Sequence, residues 1–274
     1  MRIAIDLGGT SVRVAQVDGG RIVKSIVGKC PAKGTAEEVI DLLKALIERF
    51  VTEDTDMIGI GVPSVVDAKE GIVYNAVNIP SWKEVHLKGI LEEAFNIRTC
   101  VDNDVNCFVL GEKHFGAGRP FSDVVGITLG TGVGAGIIAG GRLYRGANTG
   151  AGEVGSLPYL ESDYEHYCSG LFTQARTGLN GRELAQKAND GDEEAIKVWH
   201  ELGFHTGKLL QALILTYDPE AIIIGGGIAA MAPLFEKDMQ RSLHNGFPYP
   251  HSVERVKILF SSLKGANLLG ASQL

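Results

Sequence analysis

The chain has 274 residues, 45% of them hydrophobic, which is enough to bury a core in one large or two ordinary domains. Disordered and fibrous structures are therefore disfavoured. Its 26 basic and 33 acidic side chains give a net charge of −7, which argues against a broad surface for the phosphate backbone of nucleic acids. Glycine is in excess, with 36 residues and no collagen period, and the positions of these glycines need a local explanation.

The cysteines and the first residues bear on the cellular compartment. Cys30, Cys100, Cys107 and Cys168 lie at neither disulfide nor zinc spacing, and no basic and then apolar segment opens the chain. We therefore expect a protein of the reducing cytoplasm. Residues 124–141 carry no charge, yet their glycines and threonines favour a strand, a turn and a strand, so no membrane partner is expected.

The first half of the chain predicts a sheet with helices. Apolar runs separated by glycine turns predict a meander of three strands over residues 2–7, 11–17 and 22–27. Thr35 stands three residues before Glu38, as in a capping box, ahead of apolar residues at helical spacing. Later come a strand over residues 57–62, a helix over 87–95, a strand over 98–101 and a helix over 105–113. Strands that alternate with helices after a meander indicate an α/β fold.

The meander occurs a second time from residue 124. Strands are predicted over residues 124–129, 133–139 and 142–144, again with glycine turns between them. Residues 3–10 align with residues 126–132. In both segments an apolar strand ends in a Gly/Thr turn, and a second strand follows the turn. This self-similarity predicts two related subdomains. The remaining elements are a helix over residues 195–217, a strand over 221–224 and a helix over 231–243.

The glycine turns are candidate phosphate sites. Without a Cβ, the backbone N–H groups of such a hairpin can approach an oxyanion, and Thr10 or Thr131 adds a hydroxyl donor. Taken singly, each turn is better explained as an ordinary hairpin. The two copies, together with the glycines at residues 225–227, favour phosphate. The sequence has no Walker A motif, and a dinucleotide fingerprint at residues 132–134 fails because a hairpin follows where a helix should start.

Acidic residues follow two of the predicted strands. Asp6 ends the first strand beside a glycine turn, where a carboxylate could hold Mg²⁺ through water. A turn-forming Asp bonded to its own backbone explains this position equally well. Asp102, Asn103 and Asp104 lie between a strand and a helix, and helix capping accounts for one of them but not for the cluster. An Asp at the carboxyl end of a strand is well placed as a general base toward a bound hydroxyl.

Five short motifs carry a resemblance to a known family. They are residues 6–10 (DLGGT), 103–106 (NDVN), 128–136 (TLGTGVGAG), 150–155 (GAGEVG) and 225–227 (GGG), followed by 265–271 (GANLLGA) near the end. In order and spacing they resemble the ROK family of bacterial sugar kinases. Each motif is weak alone, but five in order are specific, and the resemblance covers essentially the whole chain.

The resemblance implies the actin-like ATPase fold, an α/β architecture of two ribonuclease H-like domains with ATP and sugar in the cleft. The expected domains are residues 1–115 with a C-terminal helix over residues 262–274, and residues 116–261. The resemblance also implies a homodimer. Its partners are expected to be ATP and a small-molecule sugar, without nucleic acid.

The resemblance also implies roles for individual residues. Asp104 is the base that takes the proton from a sugar hydroxyl as this hydroxyl attacks the γ-phosphate of ATP. The residues expected to bind the sugar are Asn78, Asn103, Asp104, Glu153, Ser156 and Glu165. Asp6 is expected to hold Mg²⁺ through water. The residues expected to bind the phosphates of the nucleotide are Gly8, Gly9, Thr10, Gly130, Thr131, Gly132 and Gly134. Those expected to bind its adenosine are Gly225, Gly226 and Gly227.

Two features depart from the family pattern. Ser156 stands where family members commonly have a His that contacts sugar and helps to ligate zinc. The cysteine-rich zinc loop is absent and Cys168 is alone, so no structural zinc is expected. His166 is a candidate replacement for the imidazole, although a locally bonded His is the better explanation. Trp82 is either a wall of the sugar site or a core residue.

The sequence thus predicts an ATP- and Mg²⁺-dependent kinase for the 6-hydroxyl of glucose or a related aldohexose such as allose. An N-acetylhexosamine, for example N-acetylmannosamine, is the alternative substrate. A sugar-responsive repressor of the same family carries a helix-turn-helix domain ahead of Asp6, and only five residues precede Asp6 here, so we expect an enzyme. A catalytically silent sugar-binding regulator is the other alternative, against which the retained Asp6 and Asp104 argue.

Overall fold

The computed structural model describes residues 1–274, which divide into two compact units. Unit 1 comprises Met1–Arg119, Leu143–Ala151 and Leu263–Leu274, and unit 2 comprises Pro120–Arg142 and Gly152–Ser262. The segment Leu143–Ala151, which the sequence assigned to the second domain, thus lies in unit 1. No helix combines the length and the apolar composition needed to cross a bilayer.

The chain forms fifteen strands and ten α-helices. The first part contains β1 (Arg2–Leu7), β2 (Ser11–Asp18), β3 (Arg21–Lys29), α1 (Ala36–Glu48), β4 (Met57–Val62), β5 (Val65–Asp67), β6 (Ile72–Tyr74), β7 (Glu84–Val85), α2 (Leu87–Phe95), β8 (Thr99–Asn103) and α3 (Asp104–Phe115). The second part contains β9 (Val124–Leu129), β10 (Val133–Ala139), β11 (Arg142–Tyr144), β12 (Pro158–Tyr159), β13 (Ser162–Asp163), α4 (Tyr164–Cys168), α5 (Gly170–Thr177), α6 (Gly181–Asn189), α7 (Glu193–Tyr217), β14 (Ala221–Gly225), α8 (Glu236–His244), α9 (Pro250–Arg255), β15 (Lys257–Phe260) and α10 (Ala266–Ala271). Two 3₁₀ helices cover Val154–Ser156 and Ala229–Leu234.

The two main sheets have the same strand order. One is β3-β2-β1-β4-β8 and the other is β11-β10-β9-β14-β15. In the first sheet, β1 pairs antiparallel with β2 and parallel with β4, and β4 pairs parallel with β8. In the second sheet, β9 pairs antiparallel with β10 and parallel with β14, and β14 pairs parallel with β15. The duplication predicted from the two meanders is therefore confirmed, strand for strand.

Parallel pairing places polar residues in rows at the carboxyl ends of the strands. In the first sheet, Asp6 lies opposite Gly61, and Gly61 lies opposite Asp102. In the second sheet, Thr128 occupies the position equivalent to Asp6 and lies opposite Gly225. Because adjacent strands are about 4.8 Å apart, the carboxylates of Asp6 and Asp102 stand on strands about 10 Å apart.

The strongest local patterns were predicted correctly. Both meanders are present, and the Thr35 hydroxyl accepts from the Glu38 backbone N–H while the Glu38 carboxylate accepts from Thr35 N–H, completing the capping box. The helix predicted over residues 231–243 is wrong. A 3₁₀ helix ends at Leu234, Met231 has non-helical dihedral angles, and α8 begins only at Glu236. Pro233, which has no backbone N–H, interrupts the helical hydrogen bonding here.

Apolar side chains form a separate core in each unit. In unit 1, Trp82 is fully buried and its Nε1 donates to the Ala36 carbonyl at 3.5 Å, so this ring is a core residue and not a wall of a site. In unit 2, Trp199 is fully buried and stacks on Phe235 with ring centroids 6.1 Å apart.

The hairpin β12–β13 and helix α4 occupy the part of the chain where the resemblance would place a zinc loop. No group of three His, Cys, Asp or Glu side chains is arranged to hold a metal ion anywhere in the chain. The segment instead packs through rings, which we call the aromatic cluster: Tyr159, Tyr164, Tyr167, Phe172 and His205.

A hydrogen bond and a stacked pair hold the aromatic cluster together. Tyr159 stacks on Tyr164 with centroids 4.4 Å apart, and the Tyr159 hydroxyl lies 3.1 Å from Nδ1 of His205 on α7. Burial raises the pKa of Tyr159 to about 12. Burial also lowers the pKa of His205, so this imidazole favours its neutral form. His205 therefore contributes to the packing of unit 2.

Gly226 provides a test of the close backbone packing in unit 2. Its φ is +92°, in the left-handed region, and an added Cβ would overlap the backbone of Leu129. We expect Gly226→Ala to lower the free energy of unfolding by about 2 to 4 kcal/mol in a urea titration. Gly227→Ala is the control, because a Cβ there meets nothing within 4 Å. Equal losses in both variants would contradict the packing argument.

The His205 imidazole makes stability depend on pH. Its pKa is lowered in the folded chain, so the unfolded chain binds the proton first as pH falls through about 6.5, and stability decreases toward acid. We expect this decrease, measured as urea unfolding free energies between about pH 5 and 7.5, to shrink in His205→Asn. His200→Asn, at an exposed position on the same helix, should keep the wild-type slope. An unchanged slope in His205→Asn would refute the assignment.

Candidate active site

Asp104 is the first residue of α3, directly after β8. The preceding residue, Asn103, caps the helix: its Oδ1 accepts from the N–H groups of Val105 at 2.8 Å and Asn106 at 3.3 Å. One Nδ2 hydrogen of Asn103 donates to the Ser64 carbonyl at 3.1 Å. Capping thus accounts for Asn103, as expected for one residue of the cluster. Asp104 is half-buried at the positive end of the helix dipole, which favours a carboxylate.

Asp102 lies beneath this junction and is buried, with 2% of its surface exposed. Its Oδ1 accepts from Asn103 N–H and from Asn106 Nδ2, both at 2.8 Å. Its Oδ2 accepts from Nε of Arg145 at 2.6 Å. Sequence reasoning missed Arg145, because nothing in the spacing of two residues 43 positions apart indicates that they meet.

Asp6 also has a basic neighbour. Arg13 Nη2 lies 3.1 Å from its Oδ2, and Asn267 Nδ2 lies 3.4 Å from its Oδ1. Burial raises the pKa of Asp6, while Arg13 and the Asn267 amide act in the opposite direction. Sequence reasoning named neither partner, although the β1–β2 hairpin register places Arg13 directly opposite Asp6.

The first glycine turn joins β1 to β2. Gly8 N–H donates to the Ser11 carbonyl at 2.9 Å, which closes the turn. An added Cβ on Gly9 would meet Asn78 Cβ at 2.5 Å, so glycine is required where the loop carrying Asn78 crosses. The exposed Thr10 completes the turn. Two sets of predicted site residues, the turn and Asn78, are therefore neighbours in unit 1.

The second glycine turn joins β9 to β10 in unit 2. Gly130 N–H donates to the Gly132 carbonyl at 3.0 Å, and the Gly130 carbonyl accepts from Gly170 N–H, at the start of α5, at 2.8 Å. Thr131 is exposed at the tip, and Gly134 lies in β10 opposite Thr128.

The residues at the end of β14 lie against this turn. Gly225 pairs with Thr128, Gly226 packs on the backbone of Leu129, and the Ile228 N–H donates to the Leu129 carbonyl at 2.8 Å. A Cβ added to the next residue, Gly227, would meet no atom within 4 Å. The structure thus brings the predicted phosphate turn and the predicted adenosine glycines together within unit 2.

Two acidic residues stand beside the second turn. Glu165 on α4 accepts from the Val133 N–H at 3.0 Å, and an added Cβ on Gly132 would overlap its carboxylate. Partial burial and the charge of Glu165 raise the pKa of Glu153. Ser156 is exposed, and its N–H donates to the Glu153 carbonyl at 3.2 Å. Glu153, Glu165 and the glycine turn therefore form one polar group.

His166 does not join this group through a hydrogen bond of its ring. Its backbone N–H donates to the Asp163 carboxylate at 2.8 Å, and its ring lies edge-on to Tyr167 with centroids 4.9 Å apart. The local explanation preferred for His166 is confirmed.

Comparisons with known proteins agree with the motifs. The ROK family model matches residues 2–274. The glucokinase of Thermotoga maritima is 28% identical over 305 residues, covering 99% of this chain and 96% of that protein. The N-acetylgalactosamine kinase AgaK of a Shewanella species is 29% identical over 308 residues, covering 98% and 96%.

A solved structure agrees in fold. A ROK family glucokinase from Streptomyces griseus, in complex with glucose and AMPPNP, superposes with a TM-score of 0.86 at 30% identity, covering 99% of this chain and 98% of that one. The actin-like ATPase fold is thereby confirmed. With a family match over nearly all of its residues, this chain belongs to the ROK family.

Proposed function

We propose that the chain is a sugar kinase that transfers the γ-phosphoryl group of ATP to a hexose hydroxyl, with Asp104 as the general base. The observation that carries this proposal is the β8–α3 junction, where a half-buried carboxylate begins a helix at the carboxyl end of a parallel strand. Sugar kinases among the relatives support the same reaction class.

The proposed reaction needs one proton acceptor. Asp104 takes the hydroxyl proton as the sugar oxygen forms its bond to the γ-phosphorus, and the bond from that phosphorus to the β,γ-bridging oxygen breaks. ADP leaves with the bonding electron pair. The N-terminus of a helix stabilises negative charge, and a proton acceptor is what the reaction needs at this position. The rest of the catalysis is positioning and charge stabilisation.

Polar side chains from the family motifs are assigned to the sugar. Asn103 has a second Nδ2 hydrogen beyond the one given to Ser64, and this hydrogen remains available as a donor. Asn78 is exposed beside the first glycine turn, and Glu153 and Glu165 offer carboxylate acceptors. Sugar hydroxyls both donate and accept, so amides and carboxylates together can match them.

The glycine turns are assigned to the nucleotide. Gly8, Gly9 and Thr10 and the turn Gly130–Gly134 are proposed to hold phosphates, and Gly225–Gly227 the adenosine. Asp6 fits Mg²⁺, because one carboxylate at a strand end beside a phosphate turn suits an ion that takes its other ligands from phosphate and water. When bound, Mg²⁺ would neutralise charge on the phosphates; Asp6 would hold it through water.

Glucose or a related aldohexose such as allose is the proposed substrate, phosphorylated at its 6-hydroxyl. Glucokinases among the relatives support this choice. An N-acetylhexosamine is the second candidate, supported by the similarity to AgaK. Ser156 occupies the position of the family His and is smaller, so it is assigned to the region where substrates are distinguished.

Replacing the base tests the mechanism. We expect Asp104→Asn to reduce kcat by about 1,000-fold or more, because an amide cannot accept the proton, while ATP affinity by calorimetry changes less than about threefold. Asp41→Asn, on the exposed face of α1, is the control for the loss of one carboxylate. A fully active Asp104→Asn would refute the assignment of the base.

A panel of sugars tests the substrate. ADP release is expected to be fastest with glucose or another aldohexose and to vanish when the 6-hydroxyl is replaced by hydrogen. Greater activity on N-acetylmannosamine or N-acetylgalactosamine would favour the second candidate. Sugar binding without ADP release on any member would identify a silent sugar-binding regulator and contradict the proposed function.

A further inference from the structure

The buried carboxylate of Asp102 is the feature that the proposed mechanism leaves unused. All three of its hydrogen-bond donors are at 2.8 Å or less, and Arg145 is the cation among them. A buried carboxylate without a cation is costly, and removing one partner of such a pair leaves an uncompensated charge. Arg145 therefore offsets the negative charge of the buried Asp102.

Asp102 closes a ring of hydrogen bonds around the base. Its Oδ1 holds both the N–H of Asn103 and the side chain of Asn106, while Asn103 Oδ1 caps the N–H of Asn106. Asp104 is the residue between these anchored positions. The backbone that carries the Asp104 side chain is thus held by hydrogen bonds before and after it in the chain.

We propose that Arg145 is a positioning residue that acts through Asp102 to fix the Asn103–Asp104 turn for phosphoryl transfer. This inference rests on the proposed function, in which Asp104 is the base. Arg145 reaches Asp102 from Leu143–Ala151, the segment that lies in unit 1 although Gly152 and Glu153, the next residues of the chain, belong to unit 2. The ion pair fastens this segment to the strand that carries the base.

The geometry of the Arg145–Asp102 ion pair allows a test in which added guanidinium ion restores the activity of an Arg145 variant. Arg145 contacts Asp102 through Nε, and 43% of the Arg145 side chain is exposed, whereas the Asp102 side chain is only 3% exposed. Truncation at Arg145 opens a path from solvent to the carboxylate, so a small guanidinium ion can replace the lost group. A side chain needed only for folding would not be restored in this manner.

The first experiment compares Arg145→Ala with Arg142→Ala, an exposed arginine three positions earlier. We expect kcat of Arg145→Ala to fall by about 10- to 100-fold, since a misplaced base loses near-attack geometry, with KM for ATP within about twofold of wild type. Millimolar guanidinium chloride should restore part of kcat in this variant and leave Arg142→Ala unchanged. Unchanged kcat, or a loss that guanidinium does not relieve, would overturn the proposal.

The second experiment measures the turn directly. Amide hydrogen exchange of Val105 and Asn106 should be faster in Arg145→Ala than in wild type, and this readout needs no sugar. An Asp102→Asn/Arg145→Ala double variant should lose no more kcat than the more impaired single variant, because the two residues act as a unit. Additive losses, or unchanged exchange, would overturn the proposal.

These readouts separate the two claims. A wild-type chain that phosphorylates no sugar refutes the proposed function, while the exchange measurement still decides whether Arg145 fixes the turn. If Arg145→Ala does not fold, Arg145→Lys, which keeps a cation but lacks Nε in that position, replaces it in the kcat comparison and in the exchange measurement, without the guanidinium rescue.

Discussion

The close approach of α3 to β4, the strand between β1 and β8 in the first sheet, is the constraint on which the candidate site depends. Gly61 lies between Asp6 and Asp102 in the row of paired residues. A Cβ at Gly61 would lie 3.1 Å from Cys107 Sγ and 3.3 Å from Asp104 Cα. Because no side chain stands there, the first turn of the helix sits directly over the strands, and Asp104 starts at their carboxyl ends.

This packing concentrates negative charge, and two arginines offset it. The burial of Cys107 and the carboxylates of Asp102, Asp104 and Asp6 all raise the pKa of that thiol. Arg13 pairs with Asp6 from the neighbouring strand, and Arg145 pairs with Asp102 from a distant segment. Carboxylates repel phosphate, so phosphates bound near these residues would be held by neutral N–H donors and a divalent cation, in agreement with the proposed roles of the glycine turns and Asp6.

Local patterns in the sequence predicted the strands and caps, whereas long-range pairings were not predictable. The capping box at Thr35 and Glu38 depends on residues three apart, and the repeated meander depends on alternation and turn residues, so both are visible in the sequence. The Asp102–Arg145 pair depends on tertiary packing across 43 positions and has no local signature. The family motifs likewise indicated which residues of the candidate site bind sugar and which bind nucleotide. The spacing of the residues in a glycine turn does not identify the ligand of that turn.

The excess of glycine has a second cause that the motifs did not indicate. An added Cβ on Gly111 would overlap the Ala266 carbonyl, and one on Gly270 would overlap the Cys107 carbonyl, so both glycines let α10 lie directly on α3. In unit 2, Gly203 and Gly207 do the same where α7 packs on α8. Some glycines thus serve helix packing and not the candidate nucleotide turns.

The position of Glu165 shows how a structure without a metal loop can still hold an acidic residue in place. Glu165 belongs to α4, a helix of five residues that is too short to be stable alone. The neighbouring Tyr164 and Tyr167 insert into the aromatic cluster, and Asp163 caps the helix start by accepting from His166 N–H. Ring packing, worth about 0.5 to 1.5 kcal/mol per aromatic pair beyond burial, therefore supports the helix where thiolate ligation would otherwise be needed. The contact from Glu165 to Val133 is therefore supported by the ring packing of the aromatic cluster, in which burial lowers the pKa of His205 and favours an uncharged ring.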